Sequence, residues 1–299
     1  MHFKRFFRAF GLISLLCFTP FQLLSQEKLS YNLKKDDFFK IKQDAEQLII
    51  QEVDGAKHEL TNDLEAIFSF KVVGETESKY IIELAFEDFG MKTTSNLQGE
   101  LINVKASEPV AGDIMSEMFS GLIGYKMEMT MQKDGKIVEV NGGNELIENM
   151  VLKANITDDF TKNLMKKSLE KEFSSDGLAK SFEQMTFFYP TNAVGVGDSW
   201  KNEFTGKLQA KNDWKLESLS SNEAKIIGDA TIAMETSENG TTMSLTGTQQ
   251  TSITTDTETG FIKTINSESL AKGVSKVANL GDVEIPTSIK STITYELIQ

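Results

Sequence analysis

Apolar and polar residues alternate along most of this chain. Leu60, Leu64, Ala66, Phe68, Phe70 and Val72 share one face of a run in which Asn62 is the polar exception, while Thr61, Asp63, Glu65, Ser69 and Lys71 lie opposite. A period of two over about a dozen residues predicts a long strand with one buried face. The pattern returns at Tyr80, Ile82, Leu84 and Phe86, at Tyr125, Met127, Met129 and Met131, at Ala224 to Met234 and at Ile289 to Leu297. Asp54-Gly55, Asp134-Gly135, Asn239-Gly240 and Thr259-Gly260 separate the runs as hairpin tips. Connections this short pair neighbouring strands antiparallel, and alternation on one face leaves the other face wet.

The middle of the chain changes period. Leu146, Ile147, Met150 and Val151 recur at helical spacing over residues 144–153. Thr157-Asp158-Asp159 reads as a helix start ahead of Phe160, Leu164, Met165 and Leu169. Residues 176–185 carry Leu178, Phe182 and Met185, a shorter helix is expected over 113–122, and Pro190 closes the helical region. The expected fold is mainly β (α+β): two antiparallel β units, or one long curved antiparallel sheet, flanking a helical middle at about 143 to 188. The chain then divides into a leader (1–25), a first β unit (26–142), a helical segment (143–190) and a second β unit (191–299). The two units echo each other. Lys35-Asp36-Asp37-Phe38-Phe39-Lys40 opens the first and Val196-Gly197-Asp198-Ser199-Trp200-Lys201 the second, and each later carries a glycine turn before an apolar strand, Asp134-Gly135-Lys136-Ile137 and Thr259-Gly260-Phe261-Ile262.

The first 25 residues have the form of a secretory signal. Lys4, Arg5 and Arg8 precede an apolar run from Phe10 to Phe18, and Ser25 is the expected cleavage position. The run is too short for a stable membrane anchor, which needs roughly 20 residues. Leu16 before Cys17 makes a poor lipobox, so Cys17 is read as part of the apolar run. The mature chain is therefore expected in the periplasm or outside the cell, with no integral membrane segment. Beyond residue 25 there is no Cys, no Arg and one His, His58; the 28 remaining basic residues are all Lys against 44 acids, a formal charge of −16. An acidic surface without Arg is a poor match for phosphate backbones, so nucleic acid is not an expected partner.

The opening Tyr31-Asn32-Leu33-Lys34-Lys35-Asp36-Asp37-Phe38, the stretch Gly121-Leu122-Ile123-Gly124 with Lys133-Asp134-Gly135-Lys136-Ile137, and Phe188-Tyr189-Pro190 with Val196-Gly197-Asp198-Ser199-Trp200 resemble a family of secreted bacterial proteins of unknown function. The resemblance spans most of the mature chain. Asp36 stands where the family more typically has Gly. The resemblance implies secretion and a β-rich fold, and no activity.

Recognisable active sites are mostly built from the groups this chain lacks. His58 has no neighbouring nucleophile or orienting carboxylate in sequence and reads as a surface residue beside a hairpin tip. Gly195-x-Gly197 lacks a third glycine and leads into a strand, so it is a turn and not a phosphate loop. Asp256-Thr257-Glu258-Thr259-Gly260 fails calcium-loop spacing, with Ser267 where a bidentate Glu is required. Paired acids such as Asp36 with Asp37 come without aromatic platforms beyond Trp200 and Trp214. No catalytic residue, metal site or cofactor is expected. The leading expectation is a non-enzymatic envelope protein that binds an apolar small molecule or lipid between sheet and helices. Phe68, Phe70, Phe86, Met127 and Met129 are the candidate lining residues. The rival is a protein-interaction module with a solid core, docking on an envelope protein partner through sheet edges or acidic faces.

Overall fold

The computed structural model describes residues 26–299 except 54, 207, 239 and 279–282. The leader, and Asp54 and Asn239 of two expected turns, lie outside the described residues. The strands are β1 (Phe38–Val53), β2 (Ala56–Glu75), β3 (Lys79–Ser95), β4 (Gly99–Lys105), β5 (Met127–Gln132), β6 (Ile137–Asn141), β7 (Ser199–Phe204), β8 (Leu208–Leu219), β9 (Glu223–Glu238), β10 (Thr241–Asp256), β11 (Ile262–Val277) and β12 (Glu284–Leu297). The helices are α1 (Ile114–Ser120), α2 (Gly143–Lys153), α3 (Asp159–Phe173) and α4 (Ser175–Thr186).

All strands belong to one 12-stranded antiparallel sheet, ordered β6-β5-β3-β2-β1-β12-β11-β10-β9-β8-β7, with β4 pairing the far end of β3. Of the two architectures left open by the sequence, the chain adopts the single sheet. The joint is β1 against β12, in register from Ile41↔Leu297 to Gln51↔Thr287. Each half is built mainly of sequence neighbours, as short hairpin connections require, except that β5 passes β4 to pair with β3. The chain runs outward from β1 to one edge, crosses through the helices, enters at the opposite edge and returns to the centre. The helical segment thus connects the two edges. α4 touches both β6 and β7, so the sheet is curled far enough for one helix to reach both.

The helices start where side chains satisfy free backbone N–H groups. The Asp113 carboxylate accepts from the Ser116 N–H, Asp158 from Thr161 and Ser174 from Gly177. Ser174 is extended and ends α3 while capping α4, so the two helices meet at one residue. No helix among the described residues is long and apolar enough to cross a membrane.

The two halves open alike. Asp36 (φ 74°) and Gly197 (φ 97°) both occupy the left-handed region. Asp is one of the few residues other than Gly that tolerates this, which accounts for the substitution at position 36. Asp37 then accepts from the Lys34 N–H at 2.7 Å, and Asp198 from the Gly195 N–H at 2.8 Å. Asp36 N–H donates to Val72 and Val72 N–H to Asp37; Gly197 N–H donates to Leu216 and Leu216 N–H to Asp198. The β2–β3 turn closes with Thr76 on Lys79, and the β8–β9 turn with Ser220 on Glu223. Matching these bonds aligns β1, β2 and β3 with β7, β8 and β9.

Most of the motifs that carry the family resemblance converge at one end of the sheet, while Gly121-Leu122-Ile123-Gly124 lies farther along, bridging to Phe86. The Tyr31 N–H donates to Lys133, its hydroxyl donates to the Thr186 carbonyl at 3.1 Å, and Tyr80 donates to the Tyr31 carbonyl at 3.0 Å. Tyr189 donates to the Gly260 carbonyl at 2.7 Å and packs edge-on against Tyr31. Burial pushes the phenols of Tyr31 and Tyr189 well above their ordinary value, so both remain neutral donors. The two glycine turns flank this cluster. A Cβ on Gly135 would lie 1.8 Å from the Thr186 oxygen, and one on Gly260 2.2 Å from the Ser30 oxygen. Only glycine allows the backbone to approach this closely.

Candidate functional site: an apolar cavity between sheet and helices

Beyond the tyrosine cluster the inner face of the sheet turns aromatic. Phe68 on β2 pairs across the ladder with Phe86 on β3, their rings 5.0 Å apart. A bulge next to Phe68 places two β3 residues, Glu87 and Asp88, between the inward-facing Phe86 and Phe89. Phe182 of α4 meets Phe68 edge-on at 5.3 Å, and Phe173 of α3 tilts against Phe86 at 6.3 Å. Phe119 of α1 stacks on Phe89 at 5.2 Å. Between these contacts the helices stand off the sheet and leave a cavity of about 630 Å³. Its floor is Ala66, Phe68, Phe86 and Met91; its roof is Met118, Met165, Leu169 and Phe182. Polar groups are few: Gln43, Ser168, Glu172, Ser181 and Tyr295. Burial pushes the Tyr295 phenol up to about 12, so it presents a neutral hydroxyl to the space.

Of the five candidate lining residues, Phe68 and Phe86 line this cavity. Phe70, Met127 and Met129 do not line it; they are buried core nearer the tyrosine cluster, with Phe70 against Phe182 and Phe261. The reason lies in register. Met127 pairs with Leu84 and Met129 with Ile82, both nearer the start of β3 than the Phe86 level where the helices lift away. Sequence reasoning missed Phe89 and the helical contributors Met165, Phe173 and Phe182. Phe89 falls out of the alternation because of the bulge, and helical periodicity does not reveal what a buried face packs against.

Other sequence candidates have structural roles. His58 is not freely solvated: it is half-buried, with Nε2 3.1 Å from the Ser95 hydroxyl, because its position faces inward with Leu60. In the acid-rich turn, burial raises the Asp256 carboxyl, but bonds from the Thr259 N–H and hydroxyl and the Glu258 N–H outweigh it and hold it below the usual range. That carboxylate is occupied in closing its own turn. Among the described residues no group of three or more His, Cys, Asp or Glu side chains is placed to hold a metal ion. Trp214 lies over Gly228, where a Cβ would meet its ring at 2.3 Å, and Trp200 donates to the Phe188 carbonyl. Trp214 is buried and Trp200 half-buried, and neither lines the cavity.

Fold and cavity together define a curled, single-sheet β protein whose central helices roof an apolar space. The model of a family of unknown function (DUF6263) matches residues 77–262, and the chain belongs to that family. No curated protein sequence matches it. Among solved structures, one of lipovitellin, titled for its lipid–protein interactions, has a TM-score of 0.51 at 11% identity over 90% of this chain and 26% of that one. This chain therefore spans about a quarter of the lipovitellin chain, and the likeness concerns the fold. An outer membrane channel from Pseudomonas putida F1 is similar at a TM-score of 0.26 and 9% identity, over 90% of this chain and 97% of that one.

Proposed function

We propose that the protein is an exported, non-enzymatic envelope protein that carries an apolar small molecule or lipid between its sheet and helices. The observation that carries this reading is the cavity of about 630 Å³ walled by Phe, Met and Leu side chains. Its size falls in the usual range for small-molecule sites, roughly 300–1,000 Å³. The space opens to solvent past the exposed Met115, Ser168, Glu172 and Ser181, and an apolar recess left open to water gains free energy when an apolar occupant covers it. The lipovitellin structure, whose title names lipid–protein interactions, supports the same reading through its shared sheet architecture. The basic and apolar leader over residues 1–25 supports export. The rival, a solid-core interaction module, has no use for such a space.

The test is purification from the native host without detergent, followed by native mass spectrometry and organic extraction. Retained lipid at near-stoichiometric occupancy is the expected result. Phe68→Glu sets a carboxylate in the cavity wall and should lower occupancy in a protein that still folds. A folded Phe68→Glu variant with unchanged lipid, or wild-type protein with none, removes the carrier reading and leaves the interaction module. Export is checked separately by N-terminal sequencing of the mature chain, with cleavage near Ser25 expected.

A further inference from the structure

The inner face of the sheet does not stay apolar beyond the cavity. Leu64 and Met91 line the cavity floor, and the next inward-facing residues along their strands, roughly 7 Å on, are Asn62 and Thr93. Register places Thr93 opposite Asn62, Asn62 opposite Gln47, Gln47 opposite Ser291, Ser291 opposite Ser269 and Ser269 opposite Gln249. Six consecutive strands therefore contribute one uncharged polar side chain each to a single row. The row is linked to itself. Thr93 donates to the Asn62 carbonyl at 2.8 Å, the Asn62 amide to the Gln47 carbonyl at 3.2 Å and the Gln47 amide to the Ser291 hydroxyl at 3.4 Å. All six residues are half-buried, so the row is neither sealed core nor free surface. An apolar row follows it on the far side, where Leu60 pairs with Ile49 and Ile49 with Ile289. A polar band between two apolar rows is costly unless its groups are satisfied.

Charge is kept off this face. No Lys, Asp or Glu occupies an inward-facing position of β1, β10 or β12, although a quarter of the chain is charged. The charged residues alternate to the outer face, where Lys42 pairs with Asp44 and Lys201 with Asp213. Among the described residues no Lys occupies an inward-facing position on the six strands of the row, and the chain's net negative charge opposes an anionic head.

Resting on the carrier reading above, we infer that the ligand is an amphiphile whose apolar chain fills the cavity and whose head is uncharged. The head bears hydroxyl, ester or amide groups that bond to the row at Asn62, Gln47 and Thr93. A fatty-acid carboxylate or a phospholipid phosphate does not match this site.

The test uses delipidated mature protein and three probes: the uncharged dye N-phenyl-1-naphthylamine, monoolein and oleate. Each lipid is titrated against the bound dye at neutral pH. Monoolein should displace the dye at a concentration at least tenfold below oleate. The double variant Gln47→Met with Asn62→Leu should lose that preference, both lipids being compared against the variant's own dye affinity. Thr93→Val, nearly the same shape as the native residue, should narrow the preference several-fold and serves if the double variant does not fold. If the dye binds but oleate matches monoolein, or a folded variant keeps the full preference, the inference about the head is overturned while the carrier reading survives. If neither dye nor lipids bind, the carrier reading itself fails.

Discussion

Replacing Ala66 with Leu asks whether the space under the helices is real. Ala66 is buried on the cavity floor, between Gln43 and Phe89 in the ladder. The substitution adds three carbon atoms aimed into the cavity. At about 0.8 kcal/mol per buried methylene their transfer from water is worth roughly 2 kcal/mol. Fixing the Leu side chain costs about 0.5–1 kcal/mol in lost rotamers. The net expectation is a gain of about 1–1.5 kcal/mol in delipidated protein. For a domain of this size that is a rise in Tm of roughly 2–6 °C. If the position were tightly packed, the same three carbons would force neighbours off their rotamers at a cost of about 1–3 kcal/mol. The two cases differ in sign, so a thermal melt followed by far-UV circular dichroism decides between them. Dye uptake should fall in the same variant, since the added side chain occupies ligand volume. A folded Ala66→Leu protein with a Tm several degrees below wild type would refute the cavity and every functional step built on it.

Gly135→Ala and Gly197→Ala both place a Cβ in left-handed backbone, at about 1–2 kcal/mol each, but only the first meets the Thr186 carbonyl; denaturant unfolding should show a much larger loss for Gly135→Ala, and equal losses would mean the tyrosine cluster is not tightly closed. Tyr31→Phe removes the bond to the Thr186 carbonyl and should cost about 1 kcal/mol, with no change in dye binding. Burial raises the Glu183 carboxyl, which accepts from the Ile137 N–H at 3.2 Å. The folded state then holds that proton more tightly than the unfolded one, and stability falls as pH rises from the ordinary carboxylate value through the raised one. Glu183→Gln keeps the acceptor and should be more stable than wild type above that window and lose its advantage below it, so a difference independent of pH would show that burial is not the cause.

Much of the fold can be read from local periodicity because the sheet is built mainly of sequence neighbours. Alternation identifies strands, and short turns fix their neighbours, so β1 to β3 and β8 to β11 follow from nearest-neighbour reasoning. Helix starts at Asp113 and Asp158 are equally local, since a cap is satisfied within three residues. What periodicity does not carry is the joint of β1 with β12, whose residues are more than 200 apart in sequence and whose pairing depends on both halves being present. Phe160 and Leu164 show that helical spacing predicts the helix and not which of its apolar residues is buried. They have helical apolar spacing yet are 77% and 60% exposed, because α3 turns Leu169 and Phe173 inward instead. The candidate site was legible only in part for the same reason. Phe68 and Phe86 share a strand pair, but the helices that make a cavity of that pair are placed by tertiary packing alone.

The internal echo explains why the cavity sits in one half of a sheet whose halves open alike. Aligning the turn bonds puts Phe70 opposite Trp214 in the comparison, Phe68 opposite Asn212 and Phe86 opposite Ala230. The first half has two aromatic rings at the level where the helices lift away. The second half has an amide and a methyl group, and the freed volume is closed by hydrogen bonds. Asn212 donates to the Asn202 carbonyl at 2.9 Å, Trp214 donates to the same oxygen at 2.9 Å, and Asn202 donates to the Phe187 carbonyl at 2.6 Å. That chain ties the end of α4 to β7 and β8, while the body of α4 packs on β6 and meets Phe68 and Phe70 of the first half. The aromatic pair that lines the cavity thus belongs to the first half alone. The two halves share a backbone arrangement and differ in side-chain size and polarity at two matched positions, with Gly228 making room for the Trp214 ring in the second.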